Sequence, residues 1–130
     1  MLAENMQTGL LSELSVMNEY AKRGYSIYTP FTLERCDFIA EKNGRYVRVQ
    51  VKSGTNFNGG REVVGFSQKP YTKEDTDIVV VFDQRENRHY YIPVEHVEGM
   101  KAIRLRLSPY LYHVKKKKAL HADNYTKFLG

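Results

Sequence analysis

The sequence predicts a mixed α/β (α+β) domain in which one amphipathic helix lies on a sheet. Three observations carry this expectation: a leading stripe of apolar residues at helical spacing, a hairpin marked by Asn43-Gly44, and a β-branched run from Thr76 to Phe82. At 130 residues, 42% hydrophobic and 27% charged, the chain is long enough to bury a core without disulfides or metal staples, so residues 1–130 are expected to form one domain. The single cysteine, Cys36, excludes an internal disulfide framework and fits a reducing compartment. The opening MLAENMQTG has no apolar signal core, and the longest apolar run, Ile78–Phe82, falls far short of a membrane span. The expectation is therefore a cytoplasmic (intracellular) protein with no membrane partner. A net charge of +5 permits polyanion binding without demanding it.

Residues 5–23 read as the first helix, because Met6, Leu10, Leu14, Met17 and Ala21 recur on one stripe, with Gly24 as its stop and Lys22 and Arg23 suiting the last turn. Glu13 lies at the border of that stripe, about 60° from its centre, where it can look toward the sheet. Residues 25–29 make a short strand closed by Pro30, and 31–35 a loop into the hairpin.

The hairpin, residues 36–53, can be registered by hand, since Asn-Gly marks a type I′ turn. Lys42 then faces Arg45, Glu41 faces Tyr46, Ile39 faces Arg48 and Asp37 faces Gln50. Phe38, Ala40, Val47, Val49 and Val51 fall on one apolar, buried face; Asp37, Gln50 and Lys52 share the other.

Residues 54–60, GTNFNGG, read as a flexible polar loop, and 61–68 as a further strand broken at Lys69-Pro70. Residues 76–82 read as a central strand buried on both faces, and 88–92 as an edge strand ended by Pro93. A short helix is expected over 94–98. Residues 102–107 set Ile103, Leu105 and Leu107 against Arg104 and Arg106, a half-buried strand; the lysine run 115–118 then precedes a last amphipathic helix over 120–129.

Facing residues of an antiparallel pair have Cβ atoms roughly 4.5–5.5 Å apart, so the carboxylate of Asp37 and the amide oxygen of Gln50 can converge on one cation, with Lys52 one pleat further on. Taken alone, the pattern fits either a site or a solvated polar face. Phosphodiester hydrolysis needs a divalent cation and a group that orients the nucleophile, and hard Mg²⁺ takes one or two side-chain oxygens while keeping several waters. Asp37 supplies a charged oxygen, and Gln50 and the main-chain carbonyl of Val51 supply neutral ones. Glu13 can act through a water from the helix, and Lys52 can orient the attacking water.

Gly9 with Ser12 and Glu13 on a leading helix, then Gly24-Tyr25, Asp37 and Gln50-Val51-Lys52, resembles the PD-(D/E)XK nuclease superfamily. The likeness is closest to its glutamine-containing branch, the group I intron homing endonucleases. Tyr71, Asp77-Ile78, Tyr90-Tyr91-Ile92-Pro93 and Leu105-Arg106-Leu107-Ser108-Pro109 extend it over residues 7–129. Cys36 stands where the name motif has Pro, and Gln50 where the usual acid stands. The resemblance implies a restriction-endonuclease-like αβββαβ core, a mixed sheet flanked by helices. It implies Asp37, Gln50, Val51 and Glu13 around Mg²⁺ (or Mn²⁺), with Lys52 as the catalytic lysine. It further implies an endonuclease acting on double-stranded or branched DNA, as a site-specific homing-type cutter, working as a homodimer or homotetramer. A Holliday junction resolvase and a non-catalytic DNA-binding or inhibitory protein are the alternatives. Arg48, Asn56, Asn58, Arg61, Lys69, Lys73, Arg104 and Arg106 are candidate phosphate contacts, with a solvated surface the competing account of each. The four histidines lack ligand spacing.

Overall fold

A computed structural model describes residues 4–107 and 120–130, and its centre is β3 (Arg45–Ser53), which is covered on both faces. On one side β2 (Phe38–Lys42) pairs antiparallel with it in the register counted from the turn, Lys42 on Arg45, Glu41 on Tyr46 and Ile39 on Arg48. Asn43 and Gly44 both take positive φ, 54° and 79°, which the type I′ turn requires. On the other side β6 (Ile78–Asp83) runs parallel to β3, setting Gln50 beside Val79 and Lys52 beside Val81. With β1 (Ser26–Tyr28) at one edge and β7 (Arg88–Pro93) at the other, the order of this five-stranded mixed sheet is β1-β2-β3-β6-β7. A second sheet, β4-β5-β8-β9, is built from β4 (Thr55–Phe57), β5 (Glu62–Phe66), β8 (Ala102–Arg106) and β9 (Leu120–His121).

Helix α1 (Glu4–Lys22) covers one face of the main sheet and the second sheet covers the other, so the expected mixed α+β architecture holds as three layers. The period of two along β6 divides its side chains between them. Ile78 and Val80 join Val16, Tyr20, Phe38, Val49 and Val51 under the helix, whereas Val79 and Val81 join Val63, Tyr71, Ile103 and Leu105 under the second sheet. Each fully buried aliphatic side chain contributes about 1.5–3 kcal/mol through the area it removes from water.

Four local expectations change. The side of α1 that packs is not its apolar stripe: Met6, Leu10 and Leu14 stay 46% to 58% exposed, while Ser12, Val16 and Tyr20 are buried. Ser12 can be buried because its hydroxyl is satisfied twice, donating to Thr8 O (3.0 Å) and sharing a 2.6 Å bond with Ser53 Oγ, so the helix seats close to the end of β3. The loop 54–60 contains a strand, β4, paired with β5. The helix expected at 94–98 is a single 3-10 turn, Val94–His96. The last helix, 120–129, is instead β9 pairing parallel to β8, a 3-10 turn at Ala122–Tyr125 and a tail whose Phe128 ring lies 4.6 Å from that of Tyr20. Long-range strand and ring partners outweigh the local helical pattern there. The lysine run 115–118 lies outside the described residues.

Candidate active site

Regular pairing of the hairpin ends at Phe38 opposite Val49, and there the chain bulges. Where the count sets Asp37 against Gln50, the Asp37 N–H instead donates to Val49 O (2.8 Å), so Asp37 and Phe38 together oppose one residue. The bulge re-aims the Asp37 side chain: its Oδ2 accepts the Val51 N–H at 2.7 Å. Gln50 is buried, and its amide nitrogen donates to Val51 O at 3.3 Å, so the amide and that carbonyl address the same space. Lys52, on the same face as Gln50, is half-buried because β5 lies across its stem. Gln50 and the stem of Lys52 thus face the second sheet rather than open solvent.

Burial pushes the Asp37 carboxyl above the usual carboxylate range, opposed by the Val51 N–H and by the charge of Lys52. Glu13 is raised too, by burial first and then by the negative charge of Asp37, so α1 delivers it into the field of that carboxylate. Among the described residues no three Asp, Glu, His or Cys side chains form a metal-holding cluster. The oxygens grouped at this strand end are the Asp37 carboxylate and the Val51 carbonyl, the latter accepting from the Gln50 amide nitrogen.

The eight candidate phosphate contacts are not brought together. Arg48 bonds Asp77 through Nε and Nη2 and the carbonyls of Glu74 and Lys73 through Nη1 and Nη2, which occupies four of its five N–H groups. It ties β3 to the start of β6 and has little left for a phosphate. Arg104 pairs with Glu62 at 3.1 Å, and Asn58 donates to the same carboxylate. Among the described residues the buried Asn56 amide nitrogen has no partner. Arg61 and Lys69 are exposed; Lys73 is exposed and 3.6 Å from Glu95, and Arg106 is half-buried on β8. Of the histidines, His89 bonds Ser15 and His96 bonds Tyr125, both internal.

The sequence does not mark two neighbours of Lys52 as parts of the site: Tyr71, which enters only through the family resemblance, and Gly65. Their contacts with Lys52 span 19 and 13 residues between strands and loops, which no local pattern encodes.

The chain matches the family model of PD-(D/E)XK endonucleases over residues 3–128. Protein 5.3 of Escherichia phage T7 is 33% identical to it over 85 residues, 60% of this chain and 72% of that protein. The structure is similar to that of the bacterial homing endonuclease I-Ssp6803I, with a TM-score of 0.73 and 19% identity over 96% of this chain and 87% of the other, a likeness of fold.

Proposed function

The chain belongs to the PD-(D/E)XK endonuclease family, and from that premise we propose that it is a Mg²⁺-dependent DNA endonuclease of the site-specific, homing type. Residues 1–130 act as one nuclease domain. One observation carries the reading: the bulge that turns the Asp37 carboxylate onto the Val51 N–H, beside Gln50 and in the fields of Glu13 and Lys52.

Asp37, Glu13, the Gln50 amide oxygen and the Val51 carbonyl would hold the divalent ion. When bound, that ion neutralises charge on the scissile phosphate. The remaining work falls to the chain. Lys52 hydrogen-bonds the attacking water and offsets the charge that develops as the phosphodiester bond breaks. Burial of Gln50 and of the Lys52 stem against β5 limits bulk water around these groups. A single such centre cuts one strand, which favours a homodimer or homotetramer for double-strand cleavage. The buried thiol of Cys36 fits an intracellular setting.

The test is cleavage by the purified protein with Mg²⁺ of supercoiled plasmid, linear genomic DNA and a synthetic four-way junction, beside Asp37→Asn and Lys52→Ala. Wild-type cleavage lost in both variants is the expected result. Cleavage that persists in both overturns the site, cleavage confined to the junction identifies a resolvase, and DNA binding without cleavage of a cognate duplex identifies a non-catalytic binder.

A further inference from the structure

A lysine on a flexible four-carbon stem serves as a catalytic group only if something fixes its ammonium, because an unrestrained one spends little time at the reacting atoms. Lys52 has such a cradle. Its Nζ lies 5.0 Å from the centre of the Tyr71 ring, and Tyr71 is 6% exposed. The same ring is held by Arg35, whose Cζ sits 4.1 Å from its centre. Arg35 is itself fixed: Nη1 donates to Pro70 O (2.8 Å) and Asp75 Oδ2 (2.9 Å), and Nη2 to Lys69 O (2.6 Å), clasping the backbone on the N-terminal side of Tyr71. Under the stem, β5 passes so near that a Cβ on Gly65 would stand 3.0 Å from the Lys52 Cβ and 3.4 Å from its Cγ. The bare Cα of Gly65 leaves the channel in which the stem lies.

We propose that Tyr71 is a positioning residue of the nuclease site: its ring, locked by Arg35, holds the Lys52 ammonium at the reacting phosphate, and Gly65 gives the stem its path. This rests on the reading of Lys52 as the catalytic lysine. The phenol contributes its face rather than its hydroxyl, since a cation is drawn to the negative π surface. Tyr71 touches no reacting atom and acts only through Lys52.

Two readouts test it. In ¹H–¹³C spectra of the labelled protein, the Lys52 Hε resonances, assigned by their loss in Lys52→Ala, are displaced upfield by the ring current. Tyr71→Phe keeps that displacement and Tyr71→Leu abolishes it. In single-turnover cleavage of plasmid with Mn²⁺, Tyr71→Leu slows the reaction by roughly tenfold or more, DNA affinity stays within about twofold, and Tyr71→Phe restores most of the rate. Unshifted Lys52 resonances in the wild type, a Tyr71→Leu rate equal to wild type, or Tyr71→Phe as damaged as Tyr71→Leu each overturn the proposal. Lys52→Ala with full activity overturns the nuclease-site reading itself; an inactive Lys52→Ala beside an active Tyr71→Leu overturns this inference alone. Should Tyr71→Leu fail to fold, Arg35→Gln carries the test: part of the ring-current shift and roughly three- to tenfold of the rate are lost, and no change in either overturns the lock.

Discussion

The Val51 N–H donates a 2.7 Å hydrogen bond to Asp37 Oδ2, so a carboxylate stands where a hairpin ladder would place a main-chain carbonyl. A bulge at Asp37 makes room for it, and in exchange one strand end presents a partly desolvated acid beside Gln50 and Lys52. The position of the acid is thus fixed by backbone, and burial holds its carboxyl above the usual carboxylate range against the Val51 N–H and the charge of Lys52.

Asp37→Asn is expected to abolish cleavage without lowering stability at neutral pH. The folded pKa of Asp37 is raised, as is that of Glu13, so between the ordinary carboxylate value near about 4 and the raised folded value the folded state holds protons the unfolded state has released. Stability therefore falls as pH rises through that window and stays low above it. The amide keeps an acceptor for the Val51 N–H and removes the buried charge. Melting curves from pH 4 to 8 should place the variant level with or above the wild type at pH 8, by on the order of 1 kcal/mol, with the difference closing toward pH 4. A variant less stable by more than that at pH 8 means the charge is already compensated in the native state.

Mg²⁺ or Mn²⁺ should raise the melting temperature of the wild type. A site at one hundred times its dissociation constant gains about 2.7 kcal/mol. Asp37→Asn should lose this response entirely and Glu13→Gln part of it, as read by calorimetry with and without EDTA. An equal response in Asp37→Asn would place the ion elsewhere.

Gln50→Glu restores a third carboxylate to the donor set and should tighten cation binding by about tenfold, near 1.4 kcal/mol. Without cation it adds a buried negative charge next to Asp37, so the metal-free variant should melt below the wild type at pH 8. Titration calorimetry with Mn²⁺ measures the first effect, and thermal melting in EDTA the second.

Two glycines should respond in opposite directions. A Cβ at Gly54 would collide with Val63 Cγ2 and stand 3.1 Å from Phe82 O, whereas a Cβ at Gly9 meets nothing within 4 Å. Gly54→Ala is expected to cost about 1–3 kcal/mol by overpacking. Gly9→Ala, in the body of α1, should gain about 0.5–1 kcal/mol of helix propensity. Urea unfolding of both variants checks the pair.

Much of the site was legible because a two-residue turn sets register arithmetically: once Asn43-Gly44 is placed, Phe38, Val49 and Val51 must share one face and Gln50 and Lys52 the other. The bulge that redirects Asp37 was not, because one extra residue in a strand leaves the alternation of neighbours unchanged. The packed side of α1 was misread for a related reason. Counting apolar residues selects Met6, Leu10 and Leu14, but close seating favours the small Ser12 below Val16 and Tyr20. Hydrogen bonding to Ser53, 41 residues away, makes that polar burial affordable.

The sequence by itself carried the family resemblance in its motif residues and, because periodicity and turn chemistry act between near neighbours, the hairpin register from Phe38 to Val49 and the central strand 76–82. Only the tertiary structure decided that a second sheet closes over Lys52, that the Tyr71 ring beneath Arg35 stands 5.0 Å from its ammonium, and that residues 120–130 extend a sheet and an aromatic cluster instead of coiling. Those outcomes depend on contacts between distant segments, whose free energy exceeds local propensity and leaves no trace in it.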